Sequence, residues 1–307
     1  MDVLRSLSLC PIAVQCVVKL TTFFSNTKLI KELNIVNLDL CGNTTGIWQD
    51  CLYVWFHKFE QISTLHVSVH WFGATLLLCY PLYGYFVLGE MVPFFDVVIP
   101  FVDDTTARGY IVTLLFQFVL CVFVISIMYN VDYLFLLTLF SGAAFIDLVE
   151  EDCKALSFTI VNSKREVNVS GIRDRLISAI RRNQGMRRYL KKTCAIFENG
   201  CLIQLYCGGF TLCVCLFVAK MSDWFPIYFI GIAALYQMSL YCLLGTMIEW
   251  KSNQLSKVVY DVPWNKLNVN NQKVFRYFLQ MSQSTIKVTL MGSLTLNIQT
   301  GMAVGCM

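Results

Sequence analysis

The chain has 307 residues, of which 56% are hydrophobic and only 14% charged, with 23 Phe and a formal net charge of +4. Soluble domains carry about 25% charged residues, so this composition excludes an ordinary soluble protein and points to an integral membrane protein. The small positive excess sits beside apolar runs, where it reads as a topology and headgroup signal and not as nucleic-acid binding.

A helix that crosses a bilayer needs roughly 20 apolar residues. Such runs fall at residues 4–26, 65–88, 109–129, 195–219 and 225–249, and a weaker sixth begins near Val288 and stops at Met307. They are continuous instead of alternating, which favours helices over a barrel, so the expected fold class is an all-α, polytopic transmembrane bundle. A cleaved signal peptide over residues 3–16 is the lesser reading of the first run, which is long and has no clear small-residue cleavage site. Residues 27–61 follow, opening on the amphipathic LIKELNIVNL. His66 and His70 share a helical face at a spacing that suits a metal, but no third ligand is near in sequence. They are read as core or interface histidines, and no metal or other cofactor is expected.

Residues 90–108 carry Asp96, Asp103 and Asp104, and residues 147–193 read as two helices around the polar break NSKREVNVSG. Most of the 14 cysteines, including Cys10, Cys16, Cys79, Cys121, Cys207, Cys213, Cys215 and Cys242, lie in apolar runs and act as small hydrophobes. No disulfide framework follows. Basic residues gather on one side of the spans: Lys28, Lys31 and Lys58, then eleven between Lys154 and Lys192, then six between Lys251 and Lys287. Only Arg5, Arg108 and Lys220 lie on the other, while Lys19 lies toward the inner end of the first span. The bias puts the N-terminus outside and the loop mass in the cytoplasm. The sequons Asn43-Thr44-Thr45 and Asn168-Val169-Ser170 then fall on the cytoplasmic side and are expected to stay unmodified. No nucleophile elbow, phosphate loop, HExxH or CxxC is present, so the chain is not read as an enzyme. Acidic residues are almost absent from the spans, which also disfavours an ion-coupled transporter.

The order of residues across 241–283 is the most specific signal. A span containing Tyr241 and Gly245 leads to Ser252 and Leu255, then Tyr260 with Trp264, then Met281 with Gln283. Upstream, a loop bearing Pro93 and Pro100 precedes a span with Tyr110 and Gln117, followed by Asp132 and LFLLTLFSG. This order resembles the insect odorant receptor family. The resemblance implies a bundle inverted relative to G-protein-coupled receptors in full-length members, which have seven spans and a cytoplasmic N-terminus. On that reading this chain begins at the second span and stops within the last helix, as a partial gene model or splice form would. It also has Ser284-Thr285 where the family usually has Pro.

The resemblance further implies a tuning subunit of an odorant-gated, nonselective cation channel. Its partners would be the shared olfactory co-receptor in a heterotetramer, small volatile odorants and membrane lipid, with no nucleic acid, in the plasma membrane of a sensory dendrite. Residues 1–250 would form the transmembrane bundle with its ligand pocket in the outer half, including cytoplasmic extensions over 130–193. Residues 251–290 would form a cytoplasmic anchor, with Tyr260, Trp264, Phe278, Met281 and Gln283 at subunit contacts, and residues 291–307 would start the pore helix. Volatile ligands offer few hydrogen-bonding groups, so apolar and aromatic walls are expected. Candidates are Tyr80 and Tyr83, then Tyr110, Leu114 and Phe118, then Phe229, Ile232 and Tyr236. Leu294, Ile298 and Met302 recur every four residues and suit an apolar gate on the last helix. A gustatory-type channel would share the fold, and a G-protein-coupled receptor lacks its Asp-Arg-Tyr and Asn-Pro-x-x-Tyr signatures here.

Overall fold

The computed structural model describes all residues except 1, 44–45, 90, 95–98, 100–101, 103–105, 163–168, 222–225, 291, 293 and 306–307. Asp96, Pro100, Asp103, Asp104, Thr44, Thr45, Asn168 and Met307 therefore lie outside the described residues. The described chain is almost entirely helical. Helices α1 (Asp2–Ser25), α2 (Thr27–Asn43), α3 (Ile47–Tyr83), α4 (Ala107–Asn162), α5 (Val169–Met221) and α6 (Pro226–Tyr260) form the bundle. Then come a short 3-10 turn, α7 (Val269–Gln283), strands β1 (Thr289–Leu290) and β2 (Leu294–Thr295), and α8 (Ile298–Gly305).

Among the described residues, four helices are long and apolar enough to cross a membrane: α3, α4, α5 and α6. The first run joins them only when α1 and α2 are taken together as one span bent by 71°. In α4 only 17% of the apolar stretch is buried within the protein, against 50% in α5, so α4 offers a lipid-facing side while α5 is the central helix. Ile111, Leu115, Phe116, Val119 and Phe123 are exposed along α4, as the membrane requires of an apolar helix without protein cover.

At about 1.5 Å per residue, the 56 residues of α4 and 53 of α5 far exceed a hydrocarbon core about 30 Å thick. Both helices continue into a polar end, where the dense core lies. Phe135, Leu139, Ile146, Val149 and Leu156 of α4 are fully buried there against Leu176 and Leu190 of α5 and Ile248 and Val259 of α6. The two helices expected around NSKREVNVSG are thus the continuations of two spans. Ion pairs tie this end together: Lys251 meets Asp147 at 2.7 Å, Asp147 also accepts from Trp55 Nε1, and Arg182 donates to Asp152 at 2.8 Å.

Backbone chemistry sets the breaks. Pro81 has no N–H to continue the ladder, and α3 widens within a turn into a π-helical segment, Gly84–Leu88, closed by Gly89 at φ 69°. Pro263 cannot continue α6, which stops at Tyr260, and Asn268 starts α7 by accepting from the Asn271 N–H. Helix α6 runs unbroken through residue 250. Tyr260 ends α6 while Trp264 opens the 3-10 turn, so the two do not share one helical face. One boundary differs from expectation. The last run starts as a hairpin, pairing Thr289 with Thr295 and Leu290 with Leu294 around Gly292 at φ 70°, and its helix begins at Ile298.

A candidate ligand cavity above a polar floor

A cavity of about 340 Å³ lies among α1, α3, α4, α5 and α6. Its lining includes the small residues Gly73 and Ala74 on α3 and Ala233 and Ala234 on α6, which take up little of the space. Ile12, Val69, Leu120, Val124, Phe229 and Ile230 make the wall apolar. Gln15, His70, Thr211, Tyr236 and Gln237 supply its polar points. Thr211 Oγ1 and Tyr236 OH are buried without a hydrogen-bond partner among the described residues, so a guest offering one polar atom would relieve a desolvation cost. The volume is at the small end of ligand sites, and the apolar wall with few polar groups is their usual character.

The expected ligand residues divide. Phe229 and Tyr236 line the cavity. Tyr80 packs instead on the small cluster of Val214, Val218 and Ile227. Tyr83, Phe118 and Ile232 are exposed on the outside of the bundle. Tyr110 is buried because its OH donates to Val92 O at 3.1 Å, and Gln117 accepts from the Phe94 N–H, so that pair fastens the outer loop to α4. Leu114 is half-buried and does not line the cavity. The α1 residues Ile12 and Gln15 were missed because that run reads only as a span; its single signal was Gln15 amid apolar neighbours.

Beneath the cavity lies a polar floor. Lys19 of α1 donates to Asp132 Oδ1 of α4 at 2.5 Å, and both side chains are at most 2% exposed. Tyr241 of α6 donates to the same oxygen at 2.5 Å while its ring stacks on Phe135. His66 of α3, fully buried, places Nε2 3.7 Å from Asp132 Oδ2. His70 Nδ1 donates to His66 O at 2.8 Å, which leaves Nε2 to accept from Gln237, and Gln237 accepts from Gln204. The expectation of spans without buried charge is therefore corrected. Asp132 directly follows an apolar run and Lys19 lies 113 residues away, so neither position by itself signals a pair.

At the polar end, Phe278 is buried, Met281 half-buried and Gln283 exposed, while Tyr260 and Trp264 are 68% and 45% exposed. Leu294 sits on β2 and not on the last helix; Ile298 and Met302 lie on α8 with outward exposure. The four-residue stripe is thus broken by the hairpin. The last segment is held along α6: Thr246 Oγ1 accepts from the Ile298 N–H at the start of α8, and Ser252 Oγ accepts from the Ile286 N–H ahead of the hairpin. A Cβ on Gly245 would come within 2.0 Å of Leu296 O, and one on Gly301 within 2.5 Å of Cys242 Sγ. Of the Tyr–Gly–Ser order read in the sequence, Gly245 and Ser252 mark the track on which the last segment lies, while Tyr241 turns to Asp132.

Fold and cavity define a multi-pass, all-α membrane protein with a small, mostly apolar binding chamber. The 7tm Odorant receptor family model matches residues 1–305, and the chain belongs to that family, a family of receptors and not of enzymes. It is similar to the Drosophila melanogaster protein named Putative odorant receptor 83c, with 23% identity over 129 residues. That match covers 42% of this chain and spans 32% of the relative's length. The fold is similar to the insect olfactory receptor OR5 from Machilis hrabei in complex with eugenol, with a TM-score of 0.83 at 14% identity. The match covers 99% of this chain and 78% of that one. A second structure of the Machilis hrabei olfactory receptor OR5 gives a TM-score of 0.82 at 12% identity, again covering 99% of this chain and 78% of that one.

Proposed function

We propose that this chain is an odorant-binding tuning subunit of a ligand-gated, nonselective cation channel, assembled with the shared olfactory co-receptor in the plasma membrane of a sensory dendrite. The observation that carries the ligand half is the cavity of about 340 Å³, apolar but for a few polar atoms. The loop charges support a cytoplasmic polar end. There the exposed Tyr260 and Trp264 offer apolar area for subunit contact, and α8 with Ile298 and Met302 is the element nearest to a pore role. Gating follows if an odorant binds more tightly when the pore is open, since a ligand shifts an equilibrium only by its differential affinity.

The test is current recording in cells that express the chain with and without the co-receptor, using a panel of volatiles that includes eugenol, the ligand named for the Machilis receptor. Odorant-evoked cation current is expected only with the co-receptor. Phe229→Ala and Tyr236→Ala should each raise the half-maximal odorant concentration about tenfold, the equivalent of about 1.4 kcal/mol. Current without the co-receptor, or current that needs a G protein, overturns the reading.

A further inference from the structure

The polar floor holds a constellation that odorant binding leaves unexplained. Among the described residues, His66 is fully buried with neither ring nitrogen hydrogen-bonded, and Asp132 Oδ2, facing it at 3.7 Å, is equally buried and without a hydrogen-bond partner. Buried polar groups are nearly always satisfied, so two facing, unsatisfied ligand atoms call for a shared occupant. One ligand atom each from His66, His70 and Asp132 falls within a sphere where all lie within 4.8 Å of one another.

We propose that His66, His70 and Asp132 form a binding site for a first-row divalent transition-metal ion, of which Zn²⁺ is the probe. Two imidazoles and one carboxylate are a donor set for zinc and its neighbours, whereas magnesium and calcium want all-oxygen ligation. Metal–ligand bonds of about 2.0–2.2 Å place tetrahedral ligand atoms roughly 3.4 Å apart; the His66 Nε2 to Asp132 Oδ2 separation is 3.7 Å. His70 is preset for the task. Its Nδ1 proton is held by the His66 carbonyl, which leaves the Nε2 lone pair free to exchange its hydrogen bond from Gln237 for a metal. Three protein ligands leave a fourth position, and His70 lines the cavity, so that position opens toward the odorant chamber. Lys19 works against the metal. Its ammonium occupies Asp132 Oδ1 and leaves only Oδ2 for coordination, so affinity is tempered by a neighbouring positive charge.

The test is calorimetric titration of the full chain in lipid nanodiscs with ZnCl₂, with Co²⁺ absorption as a second reading. One Zn²⁺ per chain and the intense visible bands of tetrahedral Co²⁺ are expected. His66→Gln and His70→Gln should each weaken binding at least about tenfold, and Lys19→Met should strengthen it by relieving the repulsion. Glutamine keeps the size and hydrogen bonding of the site, and monodispersity with an unchanged helical spectrum checks that the variants fold. Wild-type affinity in both histidine variants overturns the proposal, as does an absence of saturable Zn²⁺ binding. Because the reading is metal binding itself, it stands or falls independently of odorant gating.

Discussion

Cys153 shows how burial at the polar end alters a single group. It has no exposure, and desolvation, reinforced by the charges of Asp152 and Glu150, pushes its thiol from the ordinary 9.0 up to about 12. A group whose folded value is raised contributes stability that is complete below the unfolded value and is lost as pH rises through the folded one. Its contribution is therefore intact below pH 9 and declines toward about 12. Maleimide should leave Cys153 unlabelled in the native protein at pH 8 and label it promptly once the polar end unfolds; a mass shift at Cys153 in the native state would contradict this packing. The pattern of apolar residues was legible at this scale, and partners were not. Nothing adjacent to His66 in sequence announces Asp132, because the third group of the constellation arrives from another helix.

At the scale of elements, spans were legible because hydrophobic length is a local property, whereas their ends depend on contacts between distant segments. The expected helix from Leu294 illustrates the failure: Gly292 at positive φ allows a hairpin to form first. The hairpin then rests on α6 where Gly245 has no side chain. Gly245→Ala places a methyl group against the Leu296 carbonyl, a backbone atom that cannot rotate away, so α8 must move off its track. The expected result is a cost of about 1–3 kcal/mol from overpacking, seen as a lower midpoint in thermal unfolding. Gly142→Ala meets side-chain atoms alone, Leu190 Cδ2 and Cγ with Tyr189 Cε1 beyond them, and should cost less. Equal shifts in the two variants would show that the backbone contact has no special role.

For the whole molecule, the balance of burial separates two regions, a polar end with a dense core and a membrane half with much exposed apolar surface. Tyr260, Trp264, Trp250 and Tyr277 remain exposed toward the polar end. If they seat a neighbouring subunit, Tyr260→Ala with Trp264→Ala should abolish co-purification with the co-receptor without changing the helical spectrum; retained co-purification would place the contact elsewhere. The family order was readable over this stretch as a series of residues, but its geometry was not, because Pro263 turns the chain between the two aromatics. The Lys19–Asp132 pair carries a consequence for biosynthesis. Helix α1 leaves the ribosome well before α4, so Lys19 enters the bilayer with no counter-ion and must reach along its methylene stem toward the headgroups. Only when α4 follows can it exchange that hydration for Asp132. Assembly of the bundle thus begins with a charge waiting for its partner, and the order of synthesis decides how long it waits.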